Sequence, residues 1–257
     1  MSETPTSERR APWWKSQDAR LIGGLWAGFT VVGVVFALIV PHHLMGPSAS
    51  NTMTEVERTF TVFSVASAPV AALVWALAVY SLWKWRRHGE WTADDPDGPP
   101  LRGHGWSTGL WMFASSALCL FLLIWGLAAL SSVDSPATAS TPLEIDVTGQ
   151  QWVWTFTYPE NGNVESDQLY LPVGRPVVFR VTSYDVIHSF WVPAMGIKVD
   201  ANPGMTTTTQ TTPDRLGIYH VKCAELCGLL HADMETNAHV VSSATFAAWA
   251  ASQGASQ

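Results

Sequence analysis

Three long runs of residues without charged side chains constrain this chain more than any other feature of its sequence. They cover residues 21–40, 60–83 and 107–130. At about 1.5 Å per helical residue, some 20 apolar residues span the roughly 30 Å hydrocarbon core of a bilayer. Each run is therefore predicted to be a transmembrane helix, within a membrane region (21–130) that follows a polar tail (1–20).

The distribution of basic residues predicts how these helices are oriented. Basic side chains gather before the first run and between the second and third, whereas only Arg58 lies in the loop between the first and second. The gathered residues are Arg9, Arg10, Lys15, Arg20, Lys84, Arg86, Arg87 and Arg102. Because basic loops stay in the cytoplasm, the tail is predicted to be cytoplasmic and the chain after the third run extracytoplasmic, in a multi-pass protein of the plasma (inner) membrane.

The first run has an alternative interpretation as a signal peptide that is removed. The small residues Ser48, Ala49 and Ser50 follow it, as they would at a cleavage site. The apolar part of a signal peptide usually has about 7–15 residues, and this run is longer. The sequence therefore favours a retained first helix and three membrane spans.

Beyond residue 130 the pattern changes to short segments with alternating or β-branched residues. These segments are 143–148, 152–158, 177–183, 205–212 and 217–223. Turn-forming sequences such as Asn161-Gly162 separate them, and this spacing predicts an antiparallel sandwich or barrel. The predicted domain covers 131–257 and ends in a short capped helix with the sequence SSATFAAWAASQ.

The net charge of −7 lies entirely in this C-terminal domain, which has 12 acidic and 5 basic side chains, against nine of each in residues 1–130. An acidic surface repels the phosphates of nucleic acids, so no nucleic-acid partner is expected. It either attracts a cationic protein or only maintains solubility. Candidates for contacts with a cationic partner are Glu160, Glu165, Asp167 and Asp185.

Four side chains that can bind soft metals follow one another within twelve residues. Cys223, Cys227, His231 and Met234 form the pattern C-x3-C-x3-H-x2-M, with Glu225 between the two cysteines. Thiolate, imidazole and thioether together favour copper over magnesium, calcium or manganese. A disulfide between the cysteines is the alternative in an exported domain, but it leaves the histidine and the methionine without a role.

A second histidine, His188 in DVIHSFWVP, lies 35 residues upstream of the first cysteine, close to the end of a predicted strand. With His188 added, the motif residues resemble the binuclear copper A centre of cytochrome c oxidase subunit II, a subunit of haem-copper oxidases. The resemblance extends over residues 143–241 and includes GQQWVWTFTY, residues 183–204 and GIYHVKCAELCG. It implies that 131–257 is an all-β, cupredoxin-like copper A domain.

The resemblance also implies a role for each ligand. Cys223 and Cys227 would bridge two copper ions, and His188 and His231 would bind one copper each. Met234 would be a weak axial ligand, and Glu225 would contribute its backbone carbonyl. The Glu225 carboxylate would approach a magnesium or manganese ion at the boundary with subunit I. Asp200 is either a member of the same polar boundary or an ordinary turn aspartate.

By the same resemblance, Trp152 is expected to receive electrons from cytochrome c. The chain would pass them to subunit I, which reduces oxygen and pumps protons, in a complex with further oxidase subunits and membrane lipid. The alternative for Trp152 is a place in the core, on the same strand face as Trp154. Because the sequence contains no C-x-x-C-H haem attachment motif, the electron donor is expected to be a separate protein.

Other functions stay open at the level of sequence. They are the copper A subunit of a nitric oxide reductase, a copper-free subunit of a quinol oxidase, and a free-standing copper-binding protein; the intact ligand set disfavours the quinol oxidase. The chain also departs from most relatives in having three predicted spans rather than two. Its segment LRGHGWSTGLW lacks the glutamate that many relatives have at a proton-pathway entrance, and His104 is the nearby titratable residue.

Overall fold

The computed structural model describes residues 16–84, 105–134 and 141–254. Its first part contains three long helices, α1 (Gln17–Leu44), α2 (Asn51–Lys84) and α3 (Gly105–Asp134). Each helix includes one of the uncharged runs and is long and apolar enough to cross a membrane. The prediction of three apolar helices is thereby confirmed, and all three extend beyond the predicted spans.

Most residues used to predict the orientation lie outside the described ranges, as does the greater part of the tail (1–20). Those outside are Arg9, Arg10, Lys15, Arg86, Arg87 and Arg102. His104, named as the titratable residue near the expected proton-pathway entrance, also lies outside the described ranges. Of the basic residues assigned to the cytoplasm, Arg20 is in α1 and Lys84 is the last residue of α2.

The described chain divides into two compact units, and the division does not follow the order of the sequence. One unit holds α1 up to Val40, α2 from Thr61 and α3 up to Leu122. The other holds Pro41–Phe60 together with the chain from Leu123. Residues 41–60, from the end of α1 to the first turns of α2, therefore belong to the same unit as the β strands. The boundaries predicted from the sequence began this domain at residue 131.

In the first unit, α1 and α2 approach each other at a glycine. A Cβ added to Gly33 would lie 3.2 Å from the Cβ of Ala68. Nearby, Trp26 Nε1 donates a hydrogen bond of 2.8 Å to the carbonyl oxygen of Pro69. Small residues suit this contact because membrane helices associate largely through close van der Waals packing and interhelical hydrogen bonds.

The second unit contains ten strands among the described residues. They are β1 (Leu143–Gln150), β2 (Val153–Tyr158), β3 (Val164–Ser166), β4 (Leu169–Pro172), β5 (Val177–Ser183), β6 (His188–Val192), β7 (Ile197–Ala201), β8 (Thr207–Thr211), β9 (Gly217–Cys223) and β10 (Glu235–Val241). Two five-stranded sheets result, with the orders β3-β2-β1-β5-β8 and β4-β10-β9-β6-β7.

The core lies between the inner faces of these sheets. Alternate residues of β1 and β5 are fully buried, as expected for strands with one face on a core. Phe190 of β6 meets Phe179 of β5 and Phe156 of β2, with ring centroids 5.3 Å and 6.2 Å apart. Aromatic contacts thus join the inner faces of the two sheets.

The expected purely antiparallel arrangement is wrong at two places. β1 pairs with β5 in parallel, and β4 pairs with β10 in parallel. Between β1 and β5 the chain crosses to the second sheet, where it forms β4. When it returns to the first sheet, β5 runs in the same direction as β1. Alternation in the sequence reports which face of a strand is buried, and it carries no information about the direction of the neighbouring strand.

A terminal helix, α4 (Ser243–Gly254), closes one edge of the domain, as predicted. Ser242 caps it by accepting a hydrogen bond of 3.1 Å at Oγ from the backbone N–H of Thr245. Phe246 and Trp249 of this helix pack against Tyr158, with ring centroids 6.0 Å and 5.0 Å apart. The helix therefore extends the core beyond the sheets.

The end of the α1–α2 connection and the first residues of α2 pack into the β domain, and we call residues 48–53 the α1–α2 clasp. Ala49 N–H donates to Ala194 O at 2.8 Å, and Ala49 O accepts from Asp214 N–H at 3.0 Å. Ser50 Oγ donates to Met195 O at 2.8 Å. Ala49 and Ser50 are completely buried, so residues considered as a cleavage site are here part of the folded domain.

The clasp depends on a glycine in the β domain. Gly196 has a φ of +64°, and a Cβ added to it would lie 2.9 Å from Met53 Cα. Since the nearby atoms belong to backbone, no rotation of a side chain can relieve this contact. Only a residue without a Cβ allows the clasp to approach the turn before β7.

We expect Gly196→Ala to destabilise the protein more than Gly174→Ala. Both glycines have positive φ, but a Cβ at Gly174 would meet nothing within 4 Å. Both variants therefore incur a left-handed backbone cost of about 1–2 kcal/mol, and only Gly196→Ala adds an overpacking cost of about 1–3 kcal/mol. Thermal unfolding of the full-length protein in detergent measures the difference, and equal losses would show that the clasp is loosely held.

Candidate metal centre

The position of His188 is determined by a hydrogen bond to Asp185. His188 is the first residue of β6 and is completely buried. Its Nε2 lies 2.8 Å from Asp185 Oδ1, while its Nδ1 lies 3.9 Å from Cys223 Sγ. A carboxylate on one ring nitrogen fixes the orientation of the imidazole and leaves the other nitrogen free to bind a metal.

The other ligands lie on a loop that leaves β9 at Cys223 and enters β10 after Met234. The Cys223 N–H donates to Met234 O at 3.0 Å, so the two ends of the loop are bonded to each other. The Ala224 N–H donates to Ser189 O at 2.9 Å. These bonds attach the loop to the start of β6, next to His188.

The six predicted ligand groups converge on one cluster. The sulfurs of Cys223 and Cys227 are 3.7 Å apart, and both cysteines are free thiols. Cys227 Sγ lies 3.5 Å from His231 Nδ1 and 3.7 Å from Met234 Sδ. Cys223 Sγ donates to the backbone oxygen of Glu225 at 3.2 Å.

These separations agree with a shared metal site. Donor atoms bonded to one ion at about 2.0–2.3 Å lie roughly 3–4 Å from one another. Two thiols, two imidazoles, a thioether and a carbonyl form a set of donors that favours copper. His188, Cys223 and Cys227 are all buried, and their donor atoms lie within 4.8 Å of one another, so these three residues could hold a metal ion.

Asp185 is ionised at this site, and both of its carboxylate oxygens accept hydrogen bonds. Burial opposes its ionisation, but hydrogen bonds from the Gln151 N–H, from His188 and from the Val186 N–H outweigh burial and lower the pKa of Asp185 to about 2. The carboxylate is therefore ionised throughout the neutral range beside His188. It supplies a negative charge that would stabilise a cationic centre.

The pKa of the Cys227 thiol is raised, in contrast to the lowered pKa of Asp185. Burial and the neighbouring thiol of Cys223 raise the pKa of Cys227 to about 11. Without a metal this thiol keeps its proton at neutral pH. A metal ion that binds here must therefore displace that proton, because the thiolate is the binding form.

Trp152 lies in the turn between β1 and β2, so the idea that it shares a strand face with Trp154 is wrong. β1 ends at Gln150 and β2 begins at Val153. Trp154, inside β2, is buried and makes an edge contact with His188, with ring centroids 6.0 Å apart. Trp152 is partly buried against the core and faces the ligand loop.

The indole of Trp152 lies beside the residue that follows Cys227. A Cβ added to Gly228 would lie 3.2 Å from Trp152 Cζ2 and 3.3 Å from Nε1. Sequence reasoning did not find Gly228, Gln151 or the bond between Asp185 and His188. The signals present were a glycine directly after the second cysteine and an aspartate three residues before the histidine.

The outer residues of the site differ in exposure. The carboxylate of Glu225 is exposed, while its carbonyl faces Cys223. Asp200 is exposed on β7, opposite Ser189 of β6. It therefore lies one residue from the position that pairs with His188, close to the site but outside the cluster.

Two of the four acidic residues considered for a cationic partner have partners within the domain. Glu160 pairs with Arg175 at 2.7 Å, and Asp185 holds His188 at 2.8 Å. Glu165 and Asp167 are exposed. Of these four residues, Glu165 and Asp167 therefore remain open to a cationic partner.

Comparisons with known proteins point in one direction. A family model described as cytochrome c oxidase subunit II, periplasmic domain, matches residues 163–241. Cytochrome c oxidase subunit 2 of Synechocystis sp. is 27% identical, over 80% of this chain and 76% of the relative. Alternative cytochrome c oxidase subunit 2 of Bradyrhizobium diazoefficiens is 30% identical, over 63% of this chain and 67% of the relative. The crystal structure of the periplasmic domain of subunit II of cytochrome oxidase of Bradyrhizobium japonicum is 33% identical and covers 46% of this chain and 96% of that chain, with a TM-score of 0.44.

We expect Asp185→Ala to lower copper affinity by about 10–100-fold, because the buried His188 loses the group that orients it. Asp185→Asn keeps an acceptor for the imidazole and should lose less. Copper retained by the purified full-length protein against a chelator measures the effect.

The matched control is Asp146→Ala, which removes the same charge from the exposed surface of β1, where Asp146 pairs with Arg180 at 3.6 Å. If it weakens copper binding as much as Asp185→Ala, the contribution of Asp185 is general charge rather than orientation of His188.

Proposed function

Because this chain belongs to the family of cytochrome c oxidase subunit II, we propose that it is the subunit through which electrons enter a haem-copper oxidase. It accepts them from cytochrome c at a binuclear copper A centre and passes them to subunit I, which reduces oxygen and pumps protons. The protein is a membrane protein with three apolar helices and an extracytoplasmic, cupredoxin-like domain. We place it in the plasma membrane.

The observation that carries the proposal is the convergence of six donor groups from two separate segments. Neighbouring donors lie 3.2–3.9 Å apart, and a thiol from each cysteine faces a histidine Nδ1. His188, Cys223, Cys227, His231, Met234 and the Glu225 carbonyl would hold two copper ions. When bound, such a pair would accept one electron from reduced cytochrome c and release it to subunit I.

The protein supports this chemistry by holding the ligands in one arrangement. His188 and Cys223 are in paired strands, and the loop carrying the other donors is bonded to itself and to β6. The donors need little movement when the charge of the centre changes, which favours fast electron transfer. The site is a carrier rather than a place where substrate binds.

We assign electron input, the step from cytochrome c to the centre, to Trp152. Its indole lies beside Gly228, within 3.2 Å of where a Cβ would be, and Gly228 is covalently attached to Cys227. The residue is partly buried, so it reaches from the surface to the ligand loop. Exposed acidic residues such as Glu165 and Asp167 are available for a cationic cytochrome.

The ligand loop also provides a surface for subunit I. Leu226 and Leu229 are 79% and 89% exposed, on both sides of a metal ligand. Large apolar side chains exposed in a group favour coverage by another protein. The nearby Glu225 carboxylate would hold a magnesium or manganese ion at this boundary, since a hard cation prefers oxygen ligands.

We expect the purified complex to contain two copper ions per copy of this chain, with a mixed-valence spectrum in which one electron is shared. Cys227→Ser should abolish this spectrum, since it removes a bridging thiolate. Cys119→Ser is the matched control, because Cys119 lies in α3 outside the metal cluster. Zinc or no metal in the native domain would overturn the proposal.

Consumption of oxygen and of nitric oxide by the same preparation, driven by reduced cytochrome c, distinguishes an oxidase from a nitric oxide reductase. Nitric oxide consumption without oxygen consumption would assign the chain to the latter.

We expect Trp152→Phe to slow electron input on the order of 10-fold or more, because it withdraws the ring edge from the ligand loop. Copper content should not change. Trp154→Phe is the comparison, since it removes ring volume from the buried side of His188 and should cost up to about 3 kcal/mol of stability with input per copper-loaded molecule retained. Equal slowing in both variants would remove the specific role from Trp152.

A further inference from the structure

We propose that Gln151 and Gly228 are positioning residues that hold the indole of Trp152 against the ligand loop. This inference rests on the proposed role of Trp152 in electron input. It assigns to two further residues the task of keeping the tryptophan at one distance from Cys227. Neither residue contributes a donor atom to the metal cluster described above.

Gln151 connects the β1–β2 turn to both segments that carry metal ligands. Its backbone N–H donates to Asp185 Oδ2 at 2.8 Å, and the other oxygen of Asp185 holds His188. Its side-chain Nε2 donates to the carbonyl oxygen of Cys227 at 2.8 Å. The residue directly before Trp152 is thus bonded to the histidine segment and to the cysteine loop at once.

Gly228 provides the space that the turn occupies. Its φ is +126°, and an added Cβ would lie 2.9 Å from Gln151 Nε2 and 3.2 Å from Trp152 Cζ2. The amide of Gln151 could swing away from such a group. The indole is rigid, so it would have to move by several tenths of an ångström away from the loop.

The indole makes no hydrogen bond that would fix its position. Trp152 Nε1 is buried and has no hydrogen-bond partner within the described part of the chain. The ring is therefore held by shape and by its neighbour in the sequence. Packing against the core sets the general position of the ring, and the bonds of Gln151 together with the missing side chain of Gly228 let its edge lie against the loop.

The distance matters because the route from ring to metal is short. The ring edge lies 3.2 Å from the place that a Cβ of residue 228 would occupy, and one peptide bond separates Gly228 from Cys227. A misplacement of about 1 Å can cost on the order of 100-fold in rate, so a shift of several tenths of an ångström is expected to cost on the order of 10-fold. Gly228→Ala should therefore slow electron input by about this factor while the donor atoms stay in place.

The test is a double-mutant cycle on the purified, copper-loaded oxidase complex. Rapid mixing with reduced cytochrome c gives the rate of electron input for wild type, Gly228→Ala, Trp152→Phe and the double variant. If Gly228 acts through the indole, Gly228→Ala slows wild type about 10-fold and adds no further slowing to Trp152→Phe. Copper content and the mixed-valence spectrum should be the same in all four.

Gly162→Ala is the matched control, because Gly162 has a φ of +77° and an added Cβ would meet nothing within 4 Å. Additive slowing in the double variant, or a rate for Gly228→Ala equal to that of Gly162→Ala, would overturn the inference. If Trp152→Phe itself leaves the rate unchanged, the role of Trp152 fails instead, and the two failures are distinguishable.

Gln151→Ala keeps the inference testable if Gly228→Ala does not fold. It removes the bond to Cys227 O but leaves the backbone bond to Asp185. We expect slower electron input in an otherwise wild-type complex and no further slowing in Trp152→Phe. A loss of copper from Gln151→Ala would show that Gln151 supports the metal ligands directly and would contradict the assignment.

Discussion

The pairing of β6 with β9 is the interaction on which the metal centre depends. It places Phe190 opposite Cys223 and Trp191 opposite Lys222. Because residues on a strand alternate between faces, His188 lies on the same inner face as Phe190 and next to the first cysteine. A shift of one residue in this register would turn His188 away from the thiols. The aromatic packing around Phe190 therefore stabilises the site as well as the core.

The apolar helices and the clustering of the candidate donor groups could be predicted because both have local signatures. An uncharged run of 20 residues has few alternatives, and a motif such as that from Cys223 to Met234 brings its donors together through one loop. The strands β3, β4, β6 and β7 have three to five residues each, too few for a clear alternation. Parallel pairing was missed for a different reason, since it depends on where distant segments meet.

The same distinction explains the errors near the site. Trp152 and Trp154 have strand spacing, but the turn begins between them, and only the pairing of Gln150 with Val153 reveals it. Asp185 was grouped with the surface acids because charge alone does not show what a carboxylate contacts. Its hydrogen bonds from the Gln151 and Val186 N–H groups and its bond to His188 make it part of the candidate centre. Gly228 is important because it lies beside the indole of Trp152, a residue 76 positions away in sequence.

The α1–α2 clasp means that the β domain is discontinuous in sequence. Cutting the chain after the third helix is the natural way to obtain a water-soluble fragment, yet this cut removes Ala49 and Met53 from a fold in which both are buried. The turn around Met195 and Gly196 would lose its cover, and the backbone groups of Ala194 and Asp214 would lose their partners. Such a fragment would expose an apolar surface that is buried in the intact protein. Self-association of a truncated domain would then reflect the cut and not the assembly of the native oxidase.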